Sequence, residues 1–257
     1  MYENLSSDYD RFVNWGDRLA YEMPFVETLI AQLQKKPGDS LAILDTACGT
    51  GMHAITLAQR GHRVSAADLY PQMVQIAKEN ARRAGVEVRF ESAGFGDMQE
   101  TFGAQKFDLL LCMGNSLPHL IDEAGLRRAL LDFAAVLHPS GMLLIQNRNF
   151  DMVLRGQQRW MEPQVHREGA DEWIFQRFYD FLADGLIRFN IVTLKRHNEE
   201  GWQARVDSTL LRPQLQRDLE QALTGTGFGE LHAYGSMQGK DFDSETSGNL
   251  IQTGTKI

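Results

Sequence analysis

Three short stretches carry the residues best equipped for chemistry. Asp45-Thr-Ala-Cys-Gly-Thr-Gly51 follows a brief apolar run, Leu41–Leu44, and precedes a helical pattern. Glycines between a strand and a helix let the backbone turn tightly and approach a ligand closely. The acid before them would repel a pyrophosphate and favour a cationic head, such as an ammonium or a sulfonium. Asp68 closes the next apolar run, where a carboxylate can accept hydrogen bonds from ribose hydroxyls. The Gly-Lys-[Ser/Thr] of a phosphate loop is missing, and Ile55 stands where a dinucleotide fingerprint needs its third glycine.

The other two stretches end apolar runs on polar clusters. Phe107–Leu111 leads into Cys-Met-Gly-Asn-Ser-Leu-Pro-His-Leu120, and Gly141–Ile145 leads into Gln-Asn-Arg-Asn149. In open α/β sheets ligands lie beyond the carboxyl ends of strands, so both clusters are candidates for a binding site. Arg148 offers a planar fork that matches a carboxylate, and Asn115 is its candidate partner. His119 is the one imidazole placed to act as a base. Each residue also has a plainer reading. Arg148 can pair with Asp151 and brace the strand end, Asn115 can be a turn amide, and His119 can shape the turn into the next helix. Asp45 can cap a helix.

These stretches need elements to hold them. Residues 9–34 show apolar positions at helical spacing, from Phe12 and Trp15 to Leu33. Short strands at 41–44, 63–67, 86–91, 107–112 and 141–145 alternate with helices at 52–60, 71–84 and 123–137. Pro71 opens the second of these helices and Gly85 follows it. Such alternation predicts a parallel sheet wound on both faces. From about residue 171 the rhythm changes to three strands, 173–181, 186–195 and 202–211, joined by Asp184-Gly185 and Glu199-Glu200-Gly201. The first joint is a hairpin signal, so these strands should run antiparallel. A helix at 213–223 and closing strands at 229–235 and 249–257 complete the pattern. The expected organisation is an N-terminal helical cap (1–40), an α/β core (41–150), an antiparallel insertion or lid (151–212), and a C-terminal helix with a closing hairpin (213–257).

Composition narrows the partners. The 257 residues carry 26 Lys and Arg against 34 Asp and Glu, a net charge of -8, which disfavours nucleic acid and anionic membrane surfaces. Two cysteines and an N-terminus without basic and apolar leader regions point to a reducing, cytoplasmic location. No run approaches membrane-spanning length. The seven histidines show no ligand-pair spacing, so no metal is expected. The sequence leaves a homo-oligomer open.

LDTACGTG and AADLYPQMVQIAKENA resemble the first two motifs of the class I S-adenosylmethionine-dependent methyltransferases, and GFGDM (94–98) resembles their next. The resemblance covers roughly residues 40–150. It implies a Rossmann-like, doubly wound seven-stranded sheet and S-adenosylmethionine as cofactor. It places Gly49 and Gly51 under the methionine part, Asp45 at its amino group, and Asp68 at the ribose. Leu69, Met73, Asp97 and Met98 would meet the adenine. Met113 would border the cofactor, with Trp15 and Arg18 or Arg11 closing over it. Met73 and Trp15 also fit helix core, and Asp97 a simple turn.

More narrowly, MGNSLPHL followed by QNRNFDMVL resembles the glycine and sarcosine N-methyltransferases. In that group the matching Asn and Arg hold the substrate carboxylate, which carries over to Asn115 and Arg148. The implied reaction is in-line transfer to the amine of a small acceptor, with His119 needed only for an oxygen acceptor. The family's N-terminal tyrosines are loosely matched by Tyr9 and Tyr21, and 171–211 departs from the pattern. An amino sugar or a natural-product hydroxyl therefore stays open as acceptor, as does a non-catalytic cofactor-binding protein. The aromatic group Trp173, Phe175, Phe178, Tyr179 and Phe181 reads as lid packing or as a substrate cage.

Overall fold

A computed structural model describes residues 8–198 and 200–257. Its core strands are β1 (Ala42–Asp45), β2 (Arg63–Asp68), β3 (Arg89–Ser92), β4 (Phe107–Cys112), β5 (Leu137–Arg148), β10 (Phe228–Tyr234) and β11 (Asn249–Lys256). They form one sheet in the order β10-β11-β5-β4-β1-β2-β3. The first five run parallel, and β11 lies antiparallel between β5 and β10. Winding outward from β1 in both directions makes the β1/β4 boundary a topological switch point, where α/β sheets bind ligands.

Helices cover both faces. α1 (Tyr9–Phe12), α2 (Trp15–Leu33), α3 (Met52–Gln59) and α4 (Pro71–Ala84) precede β3, and α5 (Met98–Phe102) and α6 (Glu123–Val136) flank β4. One core packs Val26, Leu29 and Ile30 of α2 with Ile55 of α3, Ala77 of α4 and Leu109 and Leu111 of β4. The opposite face joins Leu110 and Cys112 of β4 to Leu130 and Phe133 of α6. Alternate residues of one strand thus feed two cores, as a pleated strand buried on both faces requires. In α4, Pro71 occupies the first turn and Gly85 takes φ +69° after the last, so both ends read as the sequence predicts.

The N-terminal helical region is broken. Val13 is extended, and Asn14 caps α2 by accepting the Asp17 N–H at 3.3 Å. A capping asparagine offers the backbone a way out of the helix that apolar spacing alone does not reveal.

The insertion has four strands rather than three: β6 (Gln164–Glu168), β7 (Asp171–Phe181), β8 (Ile187–His197) and β9 (Gln203–Leu211), all antiparallel. β6 escapes the sequence pattern because Gln-Val-His-Arg-Glu is polar and sits at an edge. The Asp184-Gly185 hairpin is present, with Gly185 at φ +82°. Glu199, in the second expected joint, lies outside the described residues, as do residues 1–7. Trp173, Phe175 and Ile191 of this sheet pack on Tyr9 and Phe12, so sheet and N-terminal helices together roof the switch point. α7 (Phe150–Arg155) leads into the insertion and α8 (Gln216–Thr224) follows it. Among the described residues no helix is long and apolar enough to cross a membrane, and none group as a metal-holding cluster.

Candidate active site

Two cavities meet beyond the carboxyl ends of β1, β2, β4 and β5. The first, about 420 Å³, is lined by Gly49, Asp68, Leu69, Met73, Asp97 and His119, among others. The second, about 810 Å³, is lined by Arg18, Asn115, Arg148, Arg177 and Tyr179, among others. Tyr9 and Gly114 border both and form the neck between them.

Asp68 organises the first cavity. Its Oδ2 accepts the Gly49 N–H at 2.9 Å and its Oδ1 the Tyr70 N–H at 3.0 Å. A carboxylate has about four acceptor sites, so capacity remains for two hydroxyls. Burial raises its pKa, opposed by the two backbone bonds. Gly49 has φ +54°, and a Cβ there would lie 3.4 Å from the Tyr9 ring. Gly51 serves another purpose. Its Cβ would lie 2.9 Å from Ala77 and 3.0 Å from Phe90, so its missing side chain lets α4 and β3 close on the turn rather than lining the cleft.

Asp45 is 2 % exposed, and its Oδ2 is buried without a hydrogen-bond partner. Burial pushes its carboxyl up to about 6, against the pull of His53. A buried carboxylate oxygen with no donor is costly alone and suits a cationic ligand group. With the Gly49 turn and the spare capacity of Asp68, this donor and acceptor set fits S-adenosylmethionine. When bound, that cofactor supplies an electrophilic methyl group on a sulfonium.

One end of the cleft, where the sequence places the adenine, is framed by Leu69, 62 % exposed at the rim, by buried Met73, and by Gly94, Phe95, Asp97 and Arg128. Tyr70 and Phe95 lie inside the quoted motifs without having been singled out, whereas Arg128 of α6 carried no signal in the sequence because it reaches the site only through tertiary packing.

Besides Gly51, three further expected cofactor residues line neither cavity. Met98 is fully buried among Leu130 and Phe133, and its N–H donates to Asp132 Oδ2 at 2.6 Å. Met113 packs on the opposite core, because strand alternation turns it away from the cleft. Trp15 stacks edge-on against His53, donates Nε1–H to Asp10 at 2.8 Å, and lies 5.0 Å from the Arg18 guanidinium. It braces Arg18 instead of covering the cofactor cleft. Arg11 is ion-paired to Asp8 and to Glu168 of β6, so it ties the cap to the insertion.

In the second cavity Asn115 Oδ1 accepts the Arg148 N–H at 2.9 Å. The Arg148 guanidinium makes no ion pair among the described residues, and its Nε is buried without a partner. Asp151 does not neutralise it; Asp151 Oδ2 instead accepts the Gln216 N–H at 3.1 Å and caps α8. His119 opens on the first cavity, and burial lowers its pKa to about 4, so it is neutral at pH 7. Of the insertion's aromatic group, Tyr179 lines the second cavity, Trp173 and Phe175 are core, and Phe178 stacks on Trp160.

The family model described as a methyltransferase domain matches residues 43–141. A glycine/sarcosine N-methyltransferase from Parasynechococcus marenigrum is 30% identical over 203 residues, covering 75% of this chain and 70% of that protein. The chain belongs to the class I S-adenosylmethionine-dependent methyltransferases. The fold agrees: an S-adenosylmethionine-dependent methyltransferase from Clostridium acetobutylicum superposes with a TM-score of 0.77 at 17% identity, covering 99% of this chain and 98% of that one. A sugar N-methyltransferase from Streptoalloteichus gives 0.73 at 19% identity, with 96% and 90% covered. In this methyltransferase the smaller cavity is the candidate cofactor site and the larger one the candidate acceptor site.

Proposed function

We propose that this methyltransferase alkylates the amine of a small carboxylate-bearing acceptor of the glycine or sarcosine type. One observation carries the reading: Arg148 presents a half-buried, uncompensated guanidinium to the larger cavity. An unpaired buried charge is unfavourable unless a ligand neutralises it, and a guanidinium matches a carboxylate in two parallel hydrogen bonds. With the carboxylate held there, the amine lies toward Asn115 and the neck at Tyr9 and Gly114. The chain contributes alignment and exclusion of water, and proximity of this kind is worth roughly 7–11 kcal/mol. A neutral amine needs no strong base, which agrees with a cavity from which His119 is absent. The glycine/sarcosine relative supports the same acceptor class.

A second reading has its own support. The larger cavity, about 810 Å³, exceeds the cofactor cleft of about 420 Å³ although glycine is far smaller than the cofactor. A bulkier acceptor such as an amino sugar would use that space, and one relative in fold is a sugar N-methyltransferase. A methyl-transfer screen over glycine, sarcosine, larger amino acids, amino sugars and phenols, read by S-adenosylhomocysteine release, separates the two. Turnover on amino acids is expected. Turnover confined to amino sugars or phenols overturns the carboxylate reading.

A further inference from the structure

α2 carries one acid on its otherwise apolar buried face. Glu22 is 3 % exposed and lies beside Met23, Phe25 and Val26. Four donor contacts converge on its two oxygens. Oε2 meets His53 Nε2 at 2.6 Å, and Oε1 accepts Gln146 Nε2–H at 2.9 Å. Arg18 Nε–H is shared between them, at 3.2 Å from Oε1 and 3.1 Å from Oε2. Gln146 passes the contact onward, since its Oε1 accepts the Gly114 N–H at 3.0 Å. One carboxylate thus joins the cap helix, the helix after the glycine loop, the end of β5 and the neck glycine.

The geometry of Arg18 gives this hub a direction. A guanidinium has five N–H donors in one plane. Glu22 takes the Nε donor and the Tyr9 hydroxyl bonds the same guanidinium, which leaves the remaining donors of the Nη edge for a ligand. Nη2 lies 3.3 Å from where a Cβ on Gly114 would stand, so this edge faces the neck. Trp15 holds the guanidinium from its face at 5.0 Å. A second tie keeps the cap in register: Asp10 Oδ1 accepts Thr50 Oγ–H at 2.6 Å, next to Gly49.

We propose that Glu22 is a positioning residue for methyl transfer: it aims the Nη edge of Arg18 at the cofactor carboxylate and, through Gln146, fixes Gly114 at the neck. The proposal rests on the reading of Arg18 as the partner of that carboxylate. Glu22 borders the larger cavity, but its two oxygens are taken up by His53, Arg18 and Gln146. Its effect passes through two neighbours, and a buried network of this kind loses more than one bond when its charged centre goes.

Two probes make the role testable. S-adenosylhomocysteine carries the amino-acid arm, and 5′-methylthioadenosine lacks it while sharing the adenosine part. Glu22→Gln should weaken S-adenosylhomocysteine binding about tenfold and leave methylthioadenosine within about twofold, as loss of one charge-assisted contact predicts. Arg18→Ala should show the same discrimination, and the double variant should lose no more than either single one, because both act on one contact. Gln146→Leu, which spares the Arg18–Glu22 pair, should lower turnover with S-adenosylhomocysteine affinity nearly unchanged. Equal weakening of both probes by Glu22→Gln assigns it a general structural role and overturns the proposal. So does intact binding in Glu22→Gln when Arg18→Ala binds poorly. Unchanged binding in Arg18→Ala overturns the reading of Arg18 itself. Should Glu22→Gln fail to fold, Glu22→Asp keeps the charge, shortens the reach, and must show the same discrimination between probes.

Discussion

Asn115 Oδ1 accepts the backbone N–H of Arg148 at 2.9 Å, so the side chain that follows β4 holds the backbone that ends β5. Asn115 sits at φ +63°, a left-handed conformation that asparagine tolerates better than most residues. Its own N–H donates to Gln146 O at 2.9 Å, which completes a clamp across the two strand ends. The substitutions Asn115→Gly and Asn115→Ala separate bond from strain. Glycine keeps the backbone conformation and deletes the bond, worth about 1 kcal/mol, while alanine adds a penalty of roughly 1–2 kcal/mol for the left-handed backbone. Both should lower kcat/KM for a carboxylate acceptor by about tenfold, and only alanine should also lower Tm appreciably. Wild-type kinetics in Asn115→Gly would remove the clamp from the site.

Arg148→Ala tests the acceptor reading most directly. A hydrogen bond to a charged group contributes about 1.5–3 kcal/mol, so KM for a carboxylate-bearing amine should rise roughly tenfold to a hundredfold. An amine without a carboxylate should be insensitive to the change. Thermal stability should hold or improve, because the substitution removes a charge that no acid among the described residues pairs with. A KM that does not move with the carboxylate acceptor counts against the amino-acid reading.

The fold was legible where one signal decided each element. Pro71 and Gly85 bound α4 at the positions the sequence predicts, and Phe107–Cys112 is β4 residue for residue. Legibility failed where polar chemistry overrode periodicity. Asn14 broke a helix whose apolar spacing continued, and the polar edge strand β6 gave no alternation to read. At the site, Gly49 and Asp68 border the first cavity where the sequence places them, because their positions are fixed by one turn. Met98 and Met113 do not, since a one-residue change of face sends a side chain from cleft to core. Glu22 was hidden inside an apolar stripe, and the packing that brings His53 of α3 and Gln146 of β5 onto it, beside Arg18, explains why an acid is there.

Asp68→Ala should cost both binding and stability. The carboxylate holds the Gly49 and Tyr70 N–H groups, and each buried donor left unsatisfied costs roughly 1–3 kcal/mol. Loss of the two hydroxyl acceptors should weaken S-adenosylmethionine by roughly tenfold or more, since each such bond contributes about 1 kcal/mol. Methylthioadenosine shares the ribose and should weaken in parallel, which distinguishes this change from one at Arg18. Calorimetric titration of both ligands checks it, and retained affinity for either removes Asp68 from the ribose.

The pH dependence of cofactor binding follows from Asp45. Burial pushes its carboxyl up to about 6, above the value of about 3.9 for an unfolded aspartate. The folded protein therefore holds a proton that the unfolded chain releases, and ionising Asp45 removes stability as pH rises from roughly 4 to 6. A ligand ammonium beside Oδ2 reverses the preference, because an opposite charge favours the ionised form. S-adenosylhomocysteine affinity should then increase with pH through about 6 and level off near neutrality, with proton release on binding below the plateau. Burial also raises Asp68, but with Asp68 at the ribose, as proposed, it would act on both probes alike, so methylthioadenosine serves as the control. The difference between the two ligands isolates the ammonium, and Asp45→Asn should abolish it. Titrations across roughly pH 5–8 in buffers of different ionisation enthalpy measure both affinity and proton release. Parallel pH profiles for the two ligands in the unsubstituted protein would exclude Asp45 as the ammonium's partner.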